Sequence, residues 1–374
     1  MTRVLVTGGA GFIGSHLVDE LLRTGYAVTV LDSLEPEVHA HGRPDWLPAA
    51  ARFIHGDVRD AGALDQALEG CHGVFHLAAW GGFAPEPARM ADVNCTGTAR
   101  LFEAVARSGR VRKVVTASSM AVYGEGWYRC AAHGRFHGVA RDPARLARGE
   151  WSMPCPACGE PAEASAIADD AAPTSLTPYA CSKLYQERLT LGCCRELGIA
   201  GVALRYFLTF GPRQSVHNPY SGICSIFSVR LINGHRPVVY EDGRQTRDMV
   251  YVDDTVQATR LAFENPAADG RVLNVARGES VAVGDLARRL AVAYGCSIEP
   301  EIGRRYRPTD SRHMLGDAAA LRALGWKPGV DLDEGLRRYA AWFRELAGPR
   351  DGFAEAERRL RAAGVVREAS GDAT

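Results

Sequence analysis

Three groups of residues in this chain have types and spacings that could do chemistry. The first is Thr7-Gly8-Gly9-Ala10-Gly11-Phe12-Ile13-Gly14, where Gly8, Gly11 and Gly14 recur at every third position. Glycines so spaced allow a tight turn. They also let an anion approach the backbone at a helix N-terminus, where free N–H groups and the dipole favour negative charge. Asp32 closes the next apolar run. A carboxylate there can take both ribose hydroxyls and would repel a 2′-phosphate, which predicts NAD rather than NADP. The second group is Tyr179 and Lys183, four apart and therefore on one face of a helix. An ammonium beside a phenol favours phenolate, which makes the tyrosine a usable base near neutral pH. Such a pair is common by chance. It gains weight from Thr116-Ala117-Ser118-Ser119, a strand end at the sheet edge where open α/β folds bind ligands.

The third group is Cys130-Ala131-Ala132-His133-Gly134 with Cys155-Pro156-Ala157-Cys158-Gly159. Two such knuckles can supply Cys130, His133, Cys155 and Cys158 as a closed tetrahedron for structural zinc. Metal binding would then provide the folding energy of a segment short of apolar residues. His137 is an alternative ligand, and four unrelated loop residues are the alternative to any site. The remaining seven of the ten cysteines read as small buried apolar residues.

These groups need elements to hold them. Strands are predicted at residues 3–7, 27–31, 52–55, 74–77, 113–117 and 201–205. Helical patterns lie between them, including one over residues 178–197 that carries Tyr179 and Lys183. Strands alternating with helices predict a parallel sheet covered on both faces. The expected fold is α/β: a Rossmann-type doubly wound sheet with a smaller α/β C-terminal substrate domain and a zinc-knuckle insertion. The predicted division is an NAD-binding domain at 1–206, interrupted by the insertion at 125–172, where no strand is evident. A mainly substrate-binding region follows at 207–348, with about 232–275 returning to the first domain. A tail at 349–374 holds a short helix and is expected to fray from about Glu368.

Composition sets the limits. The chain has 374 residues with 44 basic and 44 acidic side chains, a net charge of zero that disfavours nucleic acid as partner. Hydrophobic residues make up 46% and charged residues 24%, ordinary for a globular protein rather than a disordered one. No apolar stretch approaches the ~20 residues of a membrane span. The first residues run into Gly8-Gly9 too soon for a signal peptide, so a cytoplasmic location is expected.

The chain resembles the extended short-chain dehydrogenase/reductases, the superfamily of nucleotide-sugar epimerases and dehydratases. The resemblance rests on the glycine loop, Asp57-Val58, His76-Leu77-Ala78-Ala79, Asn94 and Ser118-Ser119-Met120-Ala121. It continues through Tyr179/Lys183, Leu204-Arg205-Tyr206-Phe207, Gly211-Pro212-Arg213-Gln214, Arg247-Asp248 and the late Arg307/Asp310/Arg312 cluster. It implies Ser119, Tyr179 and Lys183 as catalytic residues, with Lys183 also on the cofactor ribose. It implies cofactor contacts from Gly8, Gly11, Phe12, Ile13, Gly14, Asp32, Asp57, Val58, Leu77, Ala78, Ala79, Asn94, Ser118, Tyr179, Lys183 and Tyr206. It places Ser119, Met120, Arg213, Asn218, Arg247, Arg307 and Asp310 against a nucleotide sugar, where arginine forks suit phosphate. Leu208 stands where many relatives have Asn.

The 4,6-dehydratases of this superfamily carry an Asp-Glu pair after the hydroxyl residue. Met120 and Ala121 stand there instead, so the resemblance favours an epimerase. The segments 31–39 and 214–222 and the Cys/His insert resemble the branch that interconverts dTDP-L-rhamnose and dTDP-6-deoxy-L-talose. A UDP-sugar epimerase, a 4-ketoreductase or decarboxylase, and an NAD-sensing scaffold are the alternatives. A homodimer through the Tyr179 helix is expected.

Overall fold

The computed structural model describes residues 1–81, 86–216, 222–346 and 348–370. In chain order its strands begin with β1 (Arg3–Thr7), β2 (Ala27–Asp32), β3 (Arg52–His55), β4 (Gly73–His76) and β5 (Lys113–Ser119). There follow β6 (Trp127–Cys130), β7 (Gly134–His137), β8 (Glu163–Ser165), β9 (Ala200–Tyr206) and β10 (Leu208–Phe210). After these come β11 (Val238–Val239), β12 (Thr246–Tyr251) and β13 (Val272–Val275). Seven of them form one parallel sheet in the order β13-β9-β5-β4-β1-β2-β3. Val4, Val6, Val30, Phe75 and Val115 are essentially inaccessible, as continuous apolar runs buried on both faces must be.

The chain runs outward through β2 and β3, then crosses back to place β4 on the other side of β1. Crevices in open α/β sheets form at such a reversal, beyond the carboxyl ends of the strands. The register aligns those ends: Thr7 lies opposite Leu31 and His76, Asp32 opposite His55, and Ser119 opposite Tyr206. Gly8, Asp32, Leu77, Ser119 and Tyr206 therefore share one edge.

A smaller sheet pairs β10 with β12, which also takes Ser280–Ala282 and His313–Met314 and so carries Arg247 toward that edge. Two expectations are corrected. Residues 125–172 contain three short strands, an antiparallel sheet in the order β7-β6-β8, and the helix Pro143–Ala147. The tail does not fray at Glu368. After the helix Phe353–Ala362, Arg367–Glu368 pairs with Arg305–Tyr306, and the Ser370 N–H donates to the Ala147 carbonyl at 2.8 Å. Among the described residues no helix is long and apolar enough to cross a membrane.

Candidate active site

The glycine loop turns from β1 into the helix Phe12–Arg23, which Gly11 opens with no side-chain cap. Its first N–H groups are thus left for an incoming anion. Gly8 sits at φ +69°, and a Cβ on it would meet the Ala78 nitrogen at 2.8 Å. A Cβ on Gly14 would lie 2.1 Å from the Gly8 carbonyl oxygen. The backbone here is a cradle that only glycine permits. Asp32 fixes its rim by accepting from the N–H groups of Ala10 and Leu34, both at 2.9 Å. His39, which sequence reasoning missed, packs with Nε2 3.9 Å from the Asp32 carboxylate, and burial lowers its pKa.

Thr177 caps the next helix by accepting from the Ala180 N–H at 3.1 Å, and Pro178 occupies its first turn. This places Tyr179 at the helix start and Lys183 one turn on, both facing the cleft. Burial raises the Tyr179 pKa, and a hydrogen bond with Ser119 pulls it back. Lys183 is 2% exposed, and burial depresses its pKa to about 7. Its ammonium donates to Gln186 Oε1 at 2.7 Å rather than acting on the phenol. In the protein alone the Tyr179 pKa is thus raised by burial rather than lowered by Lys183.

Gln186 Nε2 in turn donates to Thr98 Oγ1 at 3.0 Å and lies 3.2 Å from His76 Nε2. Burial, then the Lys183 charge, drives His76 down to about 3, so it is neutral. Gln186 shares the helix face of Tyr179 and Lys183, and that spacing could have revealed it.

Gly8, Gly11, Gly14, Asp32, His39, Ser119, Tyr179 and Lys183 line one cleft of about 780 Å³, while Gln186, Thr98 and His76 are not part of its lining. It also takes in Phe12, Ile13, Asp57, Val58, Leu77, Ala78, Ala79, Met120, Arg247, Arg307 and Asp310. Arg247 Nη2 donates to Asp310 Oδ1 at 3.0 Å, and Arg307 approaches the other oxygen at 3.5 Å. Burial would raise the Asp310 pKa, but Arg247, Arg307 and Arg141 together hold it below the usual range. Two arginines on one carboxylate leave a positive excess that suits a phosphate.

Several expected contacts are placed otherwise. Arg213 is outside the cleft, paired at 2.7 Å with Asp19 on the first helix. Asn94 is fully buried in a π-helical turn, Ala91–Thr96, and its amide is consumed by the Trp80 backbone and by Ser182 Oγ. It pins the loop after β4 to the Tyr179 helix rather than offering a ligand contact. Ser118 reaches the cleft, yet its hydroxyl donates to Glu187 at 2.9 Å. The Tyr206 ring lines the cleft while its hydroxyl pairs with Thr259 at 2.7 Å. Asp57 spends its carboxylate on Arg59, whose hydrogen bonds lower its pKa. Asn218 lies outside the described residues. Sequence reasoning also missed Gly81, whose lack of a side chain lets the Tyr179 ring pack 3.1 Å from where a Cβ would stand.

In the insertion, the ligand atoms of Cys130, His133, Cys155 and Cys158 all lie within 4.8 Å of one another. Cys130 Sγ is 3.8 Å from Cys158 Sγ, and His133 Nδ1 is 3.6 and 3.7 Å from Cys130 and Cys155. A tetrahedron with 2.3 Å metal–sulfur bonds has edges of about 3.8 Å.

Residues 4–135 and 154–276 match the NAD dependent epimerase/dehydratase family, and the match breaks inside the insertion. The chain is 34% identical over 352 residues to a dTDP-L-rhamnose 4-epimerase of Burkholderia thailandensis, covering 92% of this chain and 95% of that protein. It is 32% identical over 360 residues to a UDP-glucose 4-epimerase of Mycolicibacterium smegmatis, covering 91% and 98%. Among solved structures, a Thermotoga maritima UDP-glucose 4-epimerase with UDP-glucose superposes with a TM-score of 0.76 at 31% identity, covering 92% and 99%. A Thermus thermophilus UDP-glucose 4-epimerase in complex with NAD gives 0.72 at 30%, covering 92% and 100%.

Proposed function

The chain belongs to the NAD dependent epimerase/dehydratase family, and on that premise we propose that it inverts C4 of a nucleotide-activated sugar. The interconverted pair in this reading is dTDP-L-rhamnose and dTDP-6-deoxy-L-talose. One observation carries it: Ser119, Tyr179 and Lys183 share a single cleft with Asp32 and with the Arg247–Asp310–Arg307 group, while Met120 and Ala121 offer no acid–base pair for dehydration. The choice of sugar rests on the rhamnose 4-epimerase relative and on the segments around Asp32 and Gln214. The UDP-glucose 4-epimerase relatives favour a UDP-sugar as the second reading.

Gly8, Gly11, Gly14 and Asp32 would hold NAD, the loop receiving its pyrophosphate and Asp32 its ribose. Bound there, the cofactor supplies a hydride acceptor and donor and, when oxidised, a positive charge in the cleft. Tyr179 removes the proton from the sugar O4, directly or through Ser119, and returns it after the 4-keto sugar has presented its other face. Arg247 and Arg307 keep the nucleotide end anchored meanwhile. Lys183 would hold the cofactor ribose and favour phenolate on Tyr179. Cys130, His133, Cys155 and Cys158 would bind one zinc ion; a closed set of four protein ligands makes that role structural. A homodimer through the Tyr179 helix completes the reading, with Tyr185 exposed on its outer face.

Incubation with a panel of dTDP-, UDP- and GDP-sugars, followed by separation of 4-epimers, tests this. The dTDP-L-rhamnose pair should equilibrate without net NAD(P)H consumption or CO2 release. Turnover of UDP-sugars alone would move the assignment to the second reading, and net reduction or decarboxylation would overturn both.

A further inference from the structure

Arg141 belongs to the insertion, yet its side chain ends beneath the sugar-nucleotide end of the cleft. It is 4% exposed. Its Nε lies 3.1 Å from Glu125 Oε1, and Nη1 donates to Glu241 Oε1 at 2.7 Å. Its Nη2 donates to two backbone carbonyls, those of Arg307 at 3.3 Å and Asp310 at 2.6 Å. Those two residues close a turn in which the Asp310 N–H also donates to the Arg307 carbonyl, at 3.1 Å. The same two residues send their side chains into the cleft.

The group around Arg141 is built with care. Glu241 receives Arg312 on its second oxygen at 2.7 Å, and Arg312 continues to Asp242 at 2.8 Å. Glu125 accepts from the Tyr128 hydroxyl and the Arg312 N–H, both at 3.0 Å. Glu241 holds a left-handed backbone, φ +56°, that a non-glycine residue keeps only when its surroundings fix it. Burying such a chain of charges gains little stability over apolar packing, so its value lies in geometry.

We propose that Arg141 is a positioning residue for nucleotide-sugar binding: from the insertion, it fixes the turn that presents Arg307 and Asp310 to the substrate. The inference rests on the nucleotide-sugar reading given above. It makes the insertion part of the substrate site although none of its metal ligands lines the cleft.

The test is Arg141→Met, with Arg141→Lys as the conservative variant. Each is assayed for KM and kcat, and for binding of dTDP, UDP and NAD by calorimetry. Losing the two carbonyl contacts should raise KM and the nucleotide Kd about tenfold or more. The kcat should stay within about threefold and NAD affinity should not move, since the interaction is shared by ground and transition states. Arg141→Lys should recover part of the KM. Unchanged KM and nucleotide Kd in Arg141→Met would overturn the proposal, as would a fall in kcat and thermal midpoint with KM intact. If Arg141→Met does not fold, Arg141→Met/Glu125→Gln removes one charge of each sign and takes its place. Aggregation of that variant too would assign Arg141 to folding and overturn the proposal. If the unsubstituted protein binds neither nucleotide and epimerises no sugar, the nucleotide-sugar reading is what has failed.

Discussion

The cofactor cleft and the Cys/His insertion both gather polar side chains that a folded chain does not bring together without cause, and they do it in opposite ways. In the cleft the central polar side chains already have protein partners. Asp32 is held by two backbone N–H groups, Lys183 by Gln186, and Gln186 by Thr98 beside His76. A seven-stranded sheet with aligned strand ends sets their positions before any ligand arrives. In the insertion, the side-chain contacts of Cys130 are to His133 and Cys158, within the cluster, on strands of three or four residues. The cleft is organised by the fold, whereas the knuckles of the insertion are proposed to be organised by an ion. Preorganisation of the first kind should make single-atom changes in the cleft chemical in effect, and changes in the cluster structural.

The largest effect should follow from Tyr179→Phe. Removing one oxygen from a preorganised site should cut kcat by about a thousandfold. The thermal midpoint and the affinities for NAD and nucleotide should be unchanged. Steady-state rates and calorimetry on the same preparation check this. A variant retaining a tenth of wild-type turnover would remove Tyr179 from the role of base and break the comparison on the cleft side.

Next in size is Cys155→Ser/Cys158→Ser. Two of four ligands are lost, so metal content by elemental analysis should fall from one ion per chain to near zero. Because metal binding supplies the folding energy of such a segment, the thermal midpoint should drop by about 10 °C. Trypsin should then cut within residues 125–172 while NAD binding persists. Full metal content in this variant, or an unchanged proteolytic pattern, would show that the insertion is held by its own packing, as the cleft is.

The same contrast explains what was legible in the sequence. Val4, Val6, Val28 and Val30 announce strands because a parallel strand buried on both faces is a continuous apolar run. The glycine loop, Asp32, Ser119 and the Tyr179/Lys183 pair are legible for a related reason: their geometry is local, set by a turn, a strand end or one helix. Boundaries blur where pairing overrides propensity. Residues 74–77 read as a strand, yet β4 begins at Gly73, which pairs with Val4 and Lys113. Residues 127–130 and 134–137 read as nothing, since four residues are too few to establish a period and their pairing depends on the knuckle between them. The directions of Arg213 and Asn94 were beyond reach because distant residues decide them. Asp19, far earlier in the chain, draws Arg213 away from the cleft, and a π-helical turn aims Asn94 at Trp80 and Ser182.

The smallest expected effect concerns Lys183 in the cofactor-free protein. Burial lowers its pKa to about 7, against an ordinary 10.5 in the unfolded chain. Between these values the unfolded state binds more protons than the folded one, so this residue's contribution to stability rises with pH from 7 toward 10.5. Below pH 7 the fold carries the full cost of a buried ammonium whose near partners, Gln186 and a neutral His76, bring no negative charge. Lys183→Met removes that cost at every pH. The variant should therefore melt above the wild type at pH 6.5, and the gap should narrow by roughly 2 kcal/mol, a few degrees, by pH 9. Thermal midpoints of both proteins across that range decide it. A gap that stays constant would mean that Lys183 meets a negative charge or solvent in the resting cleft. The cleft would then wait on its ligand for organisation much as the insertion is proposed to wait on its metal.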